Sequence, residues 1–118
     1  MMRKHLVAAA ALAIALAPGG AFAHHGWSSY DASRTARLVG SLTSVTWSNP
    51  HGTATMNWDG RRWDVILAPI SRMQARGLSE AMIAPGQRIR LVGYPRRDGT
   101  AEMRIERVFV GDKKVELR

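Results

Sequence analysis

The feature that most limits what this chain can fold into is its first 23 residues. Arg3 and Lys4 precede an apolar run from Leu6 to Ala17, which ends at Pro18-Gly19-Gly20 and the small-x-small triplet Ala21-Phe22-Ala23. Charged head, apolar centre, breaker and small-residue cleavage site are the parts of a secretory signal peptide. A membrane-spanning helix needs about 20 apolar residues, and this run stops well short of that. Cleavage after Ala23 is therefore expected. It leaves 95 of the 118 residues, one domain with one core. The product is expected to be periplasmic or secreted, with no transmembrane segment after cleavage.

Export frames the rest of the composition. The leader takes Arg3 and Lys4 from the 17 basic residues and none of the 9 acids, so the remainder carries a formal charge of +6. Such a surface suits anionic lipid or an envelope polyanion, while export puts nucleic acid out of reach as a partner. There is no cysteine. Cohesion must come from packing without disulfides, and thiolate metal sites, thiol redox chemistry and covalent haem attachment are excluded.

Residues 24–35 hold no sustained helical or strand period and read as an N-terminal arm, docked through Trp27 and Tyr30. The domain proper is expected over 36–118. Ala36 to Ser48 reads as one strand that changes face, Leu38, Gly40 and Leu42 on one side and then Val45 and Trp47 on the other, so it must bend or bulge. Asn49-Pro50-His51-Gly52 is a turn by composition. Thr53 to Trp58 and Arg61 to Leu67 flank Asp59-Gly60, a strong hairpin signal, which lets Trp58 and Trp63 meet across the turn.

Ile70, Met73 and Gly77 are at helical spacing with Gly77 as the stop, and a further turn follows from Ser79 to Ile83. Gln87 to Tyr94 and Ala101 to Val110 alternate again, the latter with Met103, Ile105, Val108 and Val110 inward. Lys113 to Leu117 forms a last short strand. Three strands, a short helix, then two or three strands give an all-β fold, a five- or six-stranded barrel of the oligonucleotide/oligosaccharide-binding (OB) type, with its helix between strands three and four. The alternative is a small open sheet carrying one helix.

Candidate chemistry is sparse. Cleavage would make His24 the first residue, with His25 beside it, and an N-terminal histidine can chelate a divalent metal through its amine and its ring. The Irving–Williams order favours copper, Cu(II), for such nitrogen sites, with zinc second. His51 is the remaining histidine and completes the candidate set His24, His25 and His51. The competing interpretation is that His24 and His25 are a solvated tail and His51 a turn residue bonded to its own loop. The copper motif with histidine third is absent, because the third position is Gly26. Met56, Met73, Met82 and Met103 lie in apolar patterns and read as core.

Arg61, Arg62, Arg72, Arg76, Arg88, Arg90, Arg96 and Arg97 could form a basic stripe, with Trp47, Trp58, Trp63 and Tyr94 as stacking platforms, though a solvated face and core closure explain both patterns more simply. No pair of acids has acid/base spacing, Ser28 and Ser29 lack a nucleophile-elbow context, and no phosphate loop is present, so an enzyme is not expected.

His24-His25-Gly26-Trp27, Tyr30-Asp31, Gly40, Val45-Thr46-Trp47-Ser48-Asn49-Pro50-His51, Pro85-Gly86-Gln87, Val92-Gly93-Tyr94 and Asp98-Gly99 together resemble a family of small exported bacterial proteins, the domain-of-unknown-function family six-one-five-two. The likeness spans nearly all of the chain after Ala23, and Trp-x-Asn-Pro-His is its most specific part. It implies a periplasmic or secreted all-β, barrel-like domain and brings no established activity or cofactor. Two function classes follow as expectations. One is a metal-binding module using the three histidines, and the other is a structural or adaptor module that meets a polyanion or protein partner through a basic face.

Overall fold

The structure, a computed structural model, describes residues 26–118. Its strands are β1 (Ala36–Gly40), β2 (Ser44–Thr46), β3 (Thr53–Trp58), β4 (Arg61–Ile66), β5 (Ile89–Pro95), β6 (Glu102–Val110) and β7 (Lys113–Glu116). One α-helix, α1 (Ile70–Ala75), and a 3-10 turn (Glu80–Ile83) fill the interval between β4 and β5. The sheet order is β1-β5-β6-β4-β3-β2, with β7 also on β6. Since β1 and β2 follow one another in the chain and stand at opposite ends of that order, the sheet curls round on itself. This is the expected all-β, barrel-like fold, with the helix where the OB pattern puts it.

The expected single first strand is two. β1 pairs with β5 and β2 pairs with β3, and the three residues between them carry the bend. Leu38 and Leu42 are buried while Val45 and Trp47 pack against the core only in part, as the face switch in the sequence requires. The Asp59-Gly60 hairpin is present, with both residues at positive φ (51° and 73°), which fits a tight two-residue turn. Trp63 and Trp58 meet diagonally across it, ring centroids 6.1 Å apart.

A second irregularity lies in β6. Its register against β5 steps from Val92↔Arg107 to Gly93↔Ile105, which leaves Glu106 as the extra residue of a bulge. The bulge shifts the inward phase from Met103 and Ile105 to Val108, all fully buried, and Val110, which packs against the core in part. At the same place the backbones of β5 and β6 come so close that a Cβ on Gly93 would collide with the Arg104 carbonyl.

The core gathers Leu38, Met56, Val65, Met73, Leu91, Ile105 and their neighbours. With no disulfide to help, burial of each such side chain contributes about 1.5–3 kcal/mol. Met56, Met73 and Met103 are core residues and Met82 packs against them, as their apolar patterns predict. Gly77, the expected helix stop, has φ +87° just past α1. Among the described residues no helix is long and apolar enough to cross a membrane.

Gly93→Ala is expected to destabilise the fold by about 1–3 kcal/mol, since backbone rather than a flexible side chain occupies the space the methyl needs. Urea unfolding of the two proteins measures this, and equal midpoints would contradict the close approach.

Candidate functional site

The outer face of the barrel is laid out by strand register. One cross-strand row runs Ser44, Thr55, Asp64, Glu102, and the next runs Thr46, Thr53, Ile66, Arg104, Tyr94. Their chain neighbours Ala54, Val65 and Met103 point into the core, so strand alternation turns the side chains of these rows outward. Between the rows lies a groove of about 330 Å³, lined by Thr46, His51, Thr53, Asp64 and Glu102 among others.

His51 stands in the loop that leads into β3, after a cis Asn49-Pro50 bond. Its Nδ1 is 3.0 Å from the Gly52 carbonyl oxygen. A carbonyl only accepts, so Nδ1 carries the proton in that contact, and in the neutral ring the lone pair is then on Nε2. Holding a ring through one nitrogen in this way is how proteins orient metal-binding histidines. The loop is fixed in turn by Gly52 N–H donating to the Ala68 carbonyl and Leu67 N–H to that of Gly52.

Glu102 links this groove to the N-terminal arm. Its carboxylate is almost fully buried, and its Oε2 accepts from the Tyr30 hydroxyl at 2.8 Å and from Arg96 Nη1 at 3.2 Å. Burial and the bond to Glu102 hold the Tyr30 phenol well above its usual pKa. Arg96 also pairs with Asp98, Nε to Oδ2 3.2 Å. Hydrogen bonds to Ser33 and to Thr100 respectively, aided by nearby arginines, hold the Asp31 and Asp98 carboxyls below their usual range. The arm backbone is tied to the β5 end by Asp31 N–H to the Pro95 carbonyl and Arg97 N–H to that of Ser29. Docking through Trp27 and Tyr30 is thus as expected, and among the described residues the arm carries a 3-10 turn, Trp27–Ser29.

Trp27 is the outermost anchor. The Arg104 guanidinium lies 4.3 Å from its ring centroid and that of Arg118 4.7 Å, while Tyr94 meets it edge-on at 6.3 Å. Tyr94 in turn donates to Glu106 Oε2 at 2.6 Å, which raises its own pKa. Burial pushes the Arg104 guanidinium down. A cation over an indole face contributes about 0.5–2 kcal/mol.

Of the predicted ligands, His51 is at the groove, and His24 and His25 lie outside the described residues. Among the described residues no group of three His, Asp or Glu side chains stands close enough together to hold a metal ion. Sequence reasoning missed Asp64 and Glu102 as groove residues. Their outward parity beside Val65 and Met103 was readable, but their adjacency depends on the parallel pairing of β4 with β6.

Several of the arginines that could form a basic stripe are engaged in local contacts. Arg72 and Arg76 donate to the carbonyls of Leu117, Glu116 and Arg118, while Arg61 lies over Trp63, Arg90 over Phe109, and Arg97 donates to Ser28.

Fold and site together define a small OB-like β-barrel with an arm latched across its outer face beside a histidine-bearing groove. A family model described as "Family of unknown function (DUF6152)" matches residues 11–104, and the chain belongs to that family. No curated protein matches the chain.

Tyr30→Phe is expected to cost about 1–2 kcal/mol at neutral pH, the worth of a hydrogen bond to a charged acceptor. Because folding raises the Tyr30 and Tyr94 pKa values, their stabilisation is complete below about pH 10, the unfolded value, and is lost as pH rises toward the folded values. Thermal unfolding from pH 7 to 11 should show a fall above about pH 10 that is shallower in Tyr30→Phe. An identical slope in both proteins would remove Tyr30 from that dependence.

Proposed function

We propose that this protein is an exported, non-enzymatic metal-binding module of the bacterial periplasm. It takes up copper, Cu(II), ahead of zinc through the His24 amine and ring, the His25 ring and His51. Cleavage after Ala23 is part of the proposal, because only then is the His24 amine free.

The observation that carries it is the anchoring of Trp27 in the row that ends beside His51. Trp27 stacks on Arg104, and Arg104, Ile66 and Thr53 follow one another across β6, β4 and β3. Two strand spacings separate Arg104 from Thr53, about 10 Å. The two or three residues before Trp27 span at most about 7–10 Å of chain. The reach of the arm is comparable with that spacing, and His51 has its ring oriented by the contact of Nδ1 with the Gly52 carbonyl. Two imidazoles, a further ring and an amine form a nitrogen-rich set of the kind copper binds most tightly among divalent ions. Asp64 and Glu102 in the same groove add negative charge beside it.

The adaptor reading, in which a basic face meets a polyanion, has less support, because so many of the arginines are engaged with carbonyls and rings of the barrel itself. It predicts salt-sensitive binding that ignores chelators.

The full chain, expressed with its leader and recovered from the periplasm, should begin at His24 by mass spectrometry. Titration with Cu(II) against a competing chelator is expected to give submicromolar affinity at pH 7. His51→Ala should weaken it about tenfold or more, equivalent to about 1.4 kcal/mol, and remove one nitrogen from the electron paramagnetic resonance pattern. A start at another residue, or weak binding that is unchanged in His51→Ala, refutes the site.

A further inference from the structure

The two tryptophans of the hairpin are not used by the histidine groove, and they line a different cavity. β2 meets β3 only over Thr53 to Thr55, and β1 pairs only with β5. The outer edge of β3 from Met56 to Trp58 and the free edge of β1 therefore share no ladder, and the barrel wall has a seam. At the end of that seam is a cleft of about 500 Å³, within the range of about 300–1,000 Å³ usual for small-molecule sites. Its apolar lining includes Trp58, Trp63, Pro95 and Met103, and Arg34, Asp59 and Arg61 stand with them.

The chemistry of the lining selects a ligand. Trp63 Nε1–H donates to the Trp58 carbonyl at 3.2 Å, so its polar edge is satisfied within the hairpin. The Arg61 guanidinium lies 4.9 Å from the Trp63 ring centroid, which keeps the cation beside the apolar surface. Among the described residues neither Arg34 nor Arg61 has a carboxylate within ion-pair distance. Among the residues that line the cleft the two guanidiniums face one carboxylate, that of Asp59, which leaves one net positive charge on the lining.

We propose that this cleft binds a small amphipathic monoanion, an apolar body ending in a single carboxylate. The body lies against Trp58, Trp63 and Met103, and the carboxylate is received between Arg34 and Arg61. A bidentate guanidinium–carboxylate contact is the strong form of such a bond. The site is separate from the histidine groove and does not depend on metal binding.

Octanoate serves as the probe, added to the full chain as recovered from the periplasm and followed by calorimetry and tryptophan fluorescence. Saturable one-to-one binding is expected. 1-Octanol should bind about tenfold or more weakly, because it leaves the guanidiniums without a charged partner. Arg61→Gln should weaken octanoate by about tenfold, and the Arg34→Gln/Arg61→Gln double variant by more. Both positions are exposed, and circular dichroism of the variants checks that they fold. Any of three results would overturn the proposal: no saturation by about 1 mM octanoate, equal affinity for octanol, or unchanged affinity in the double variant.

Discussion

The arrangement of this protein turns on one buried carboxylate. Glu102 opens β6 at the point where that strand is flanked by β5 on one side and by the parallel β4 on the other. A carboxylate taken out of water is costly unless it is hydrogen-bonded and paired, and the partners that meet this one come from two separated stretches of chain. Tyr30 belongs to the arm, and Arg96 to the turn after β5. Satisfying Glu102 therefore fixes the arm, the turn and the strand start relative to each other. The backbone bonds from Asp31 to Pro95 and from Arg97 to Ser29 follow the same line. At Trp27 and Tyr30 the arm is held against the barrel.

What could be read from the residues was what local chemistry decides. Asp59-Gly60 needs two positive φ values and obtains them, and the hairpin follows. Gly77 ends α1 for a similar reason. The face switch between Leu42 and Val45 reported a bend, though the residues alone could not show that β1 and β2 would pair with different partners. The mixed phase of β6, with Met103 and Ile105 odd and Val108 and Val110 even, carried the mark of a bulge, and register against β5 was needed to place it at Glu106. The groove was less legible. Asp64 and Glu102 are 38 positions apart in sequence and become neighbours only because the chain between them, with α1 and β5, returns to lay β6 parallel to β4.

Arginine content has a second meaning for a related reason. A formal charge of +8 over the whole sequence suggests a face for polyanions, yet long guanidinium side chains are also the means by which a cysteine-free barrel ties down its loose ends. Arg72 and Arg76 reach the carbonyls of the last residues, where β7 has no further strand beside it. Arg104 and Arg118 hold Trp27, and Arg107 pairs with Glu116 Oε1 at 2.7 Å across β6 and β7. Net charge counts these residues as available to a partner. Their contacts show them engaged with the chain itself.

Strand parity also explains how so small a domain can present two separate surfaces. Glu102 and Met103 are adjacent, so their side chains leave opposite faces of β6. The first borders the groove of His51, and the second helps line the cleft beside Trp58 and Trp63. Groove and cleft thus lie back to back across a single thickness of sheet, one polar and acidic, the other aromatic with a net cationic fringe. Such a wall lets each surface keep its own charge, because the residues at its floor, Val65 under the groove and Met103 under the cleft, are fully buried and carry none. The sign of each surface is set by which alternate residues the sequence places outward. A metal cation and an amphipathic anion are the ligands that those two signs would favour, and neither surface needs a residue that lines the other.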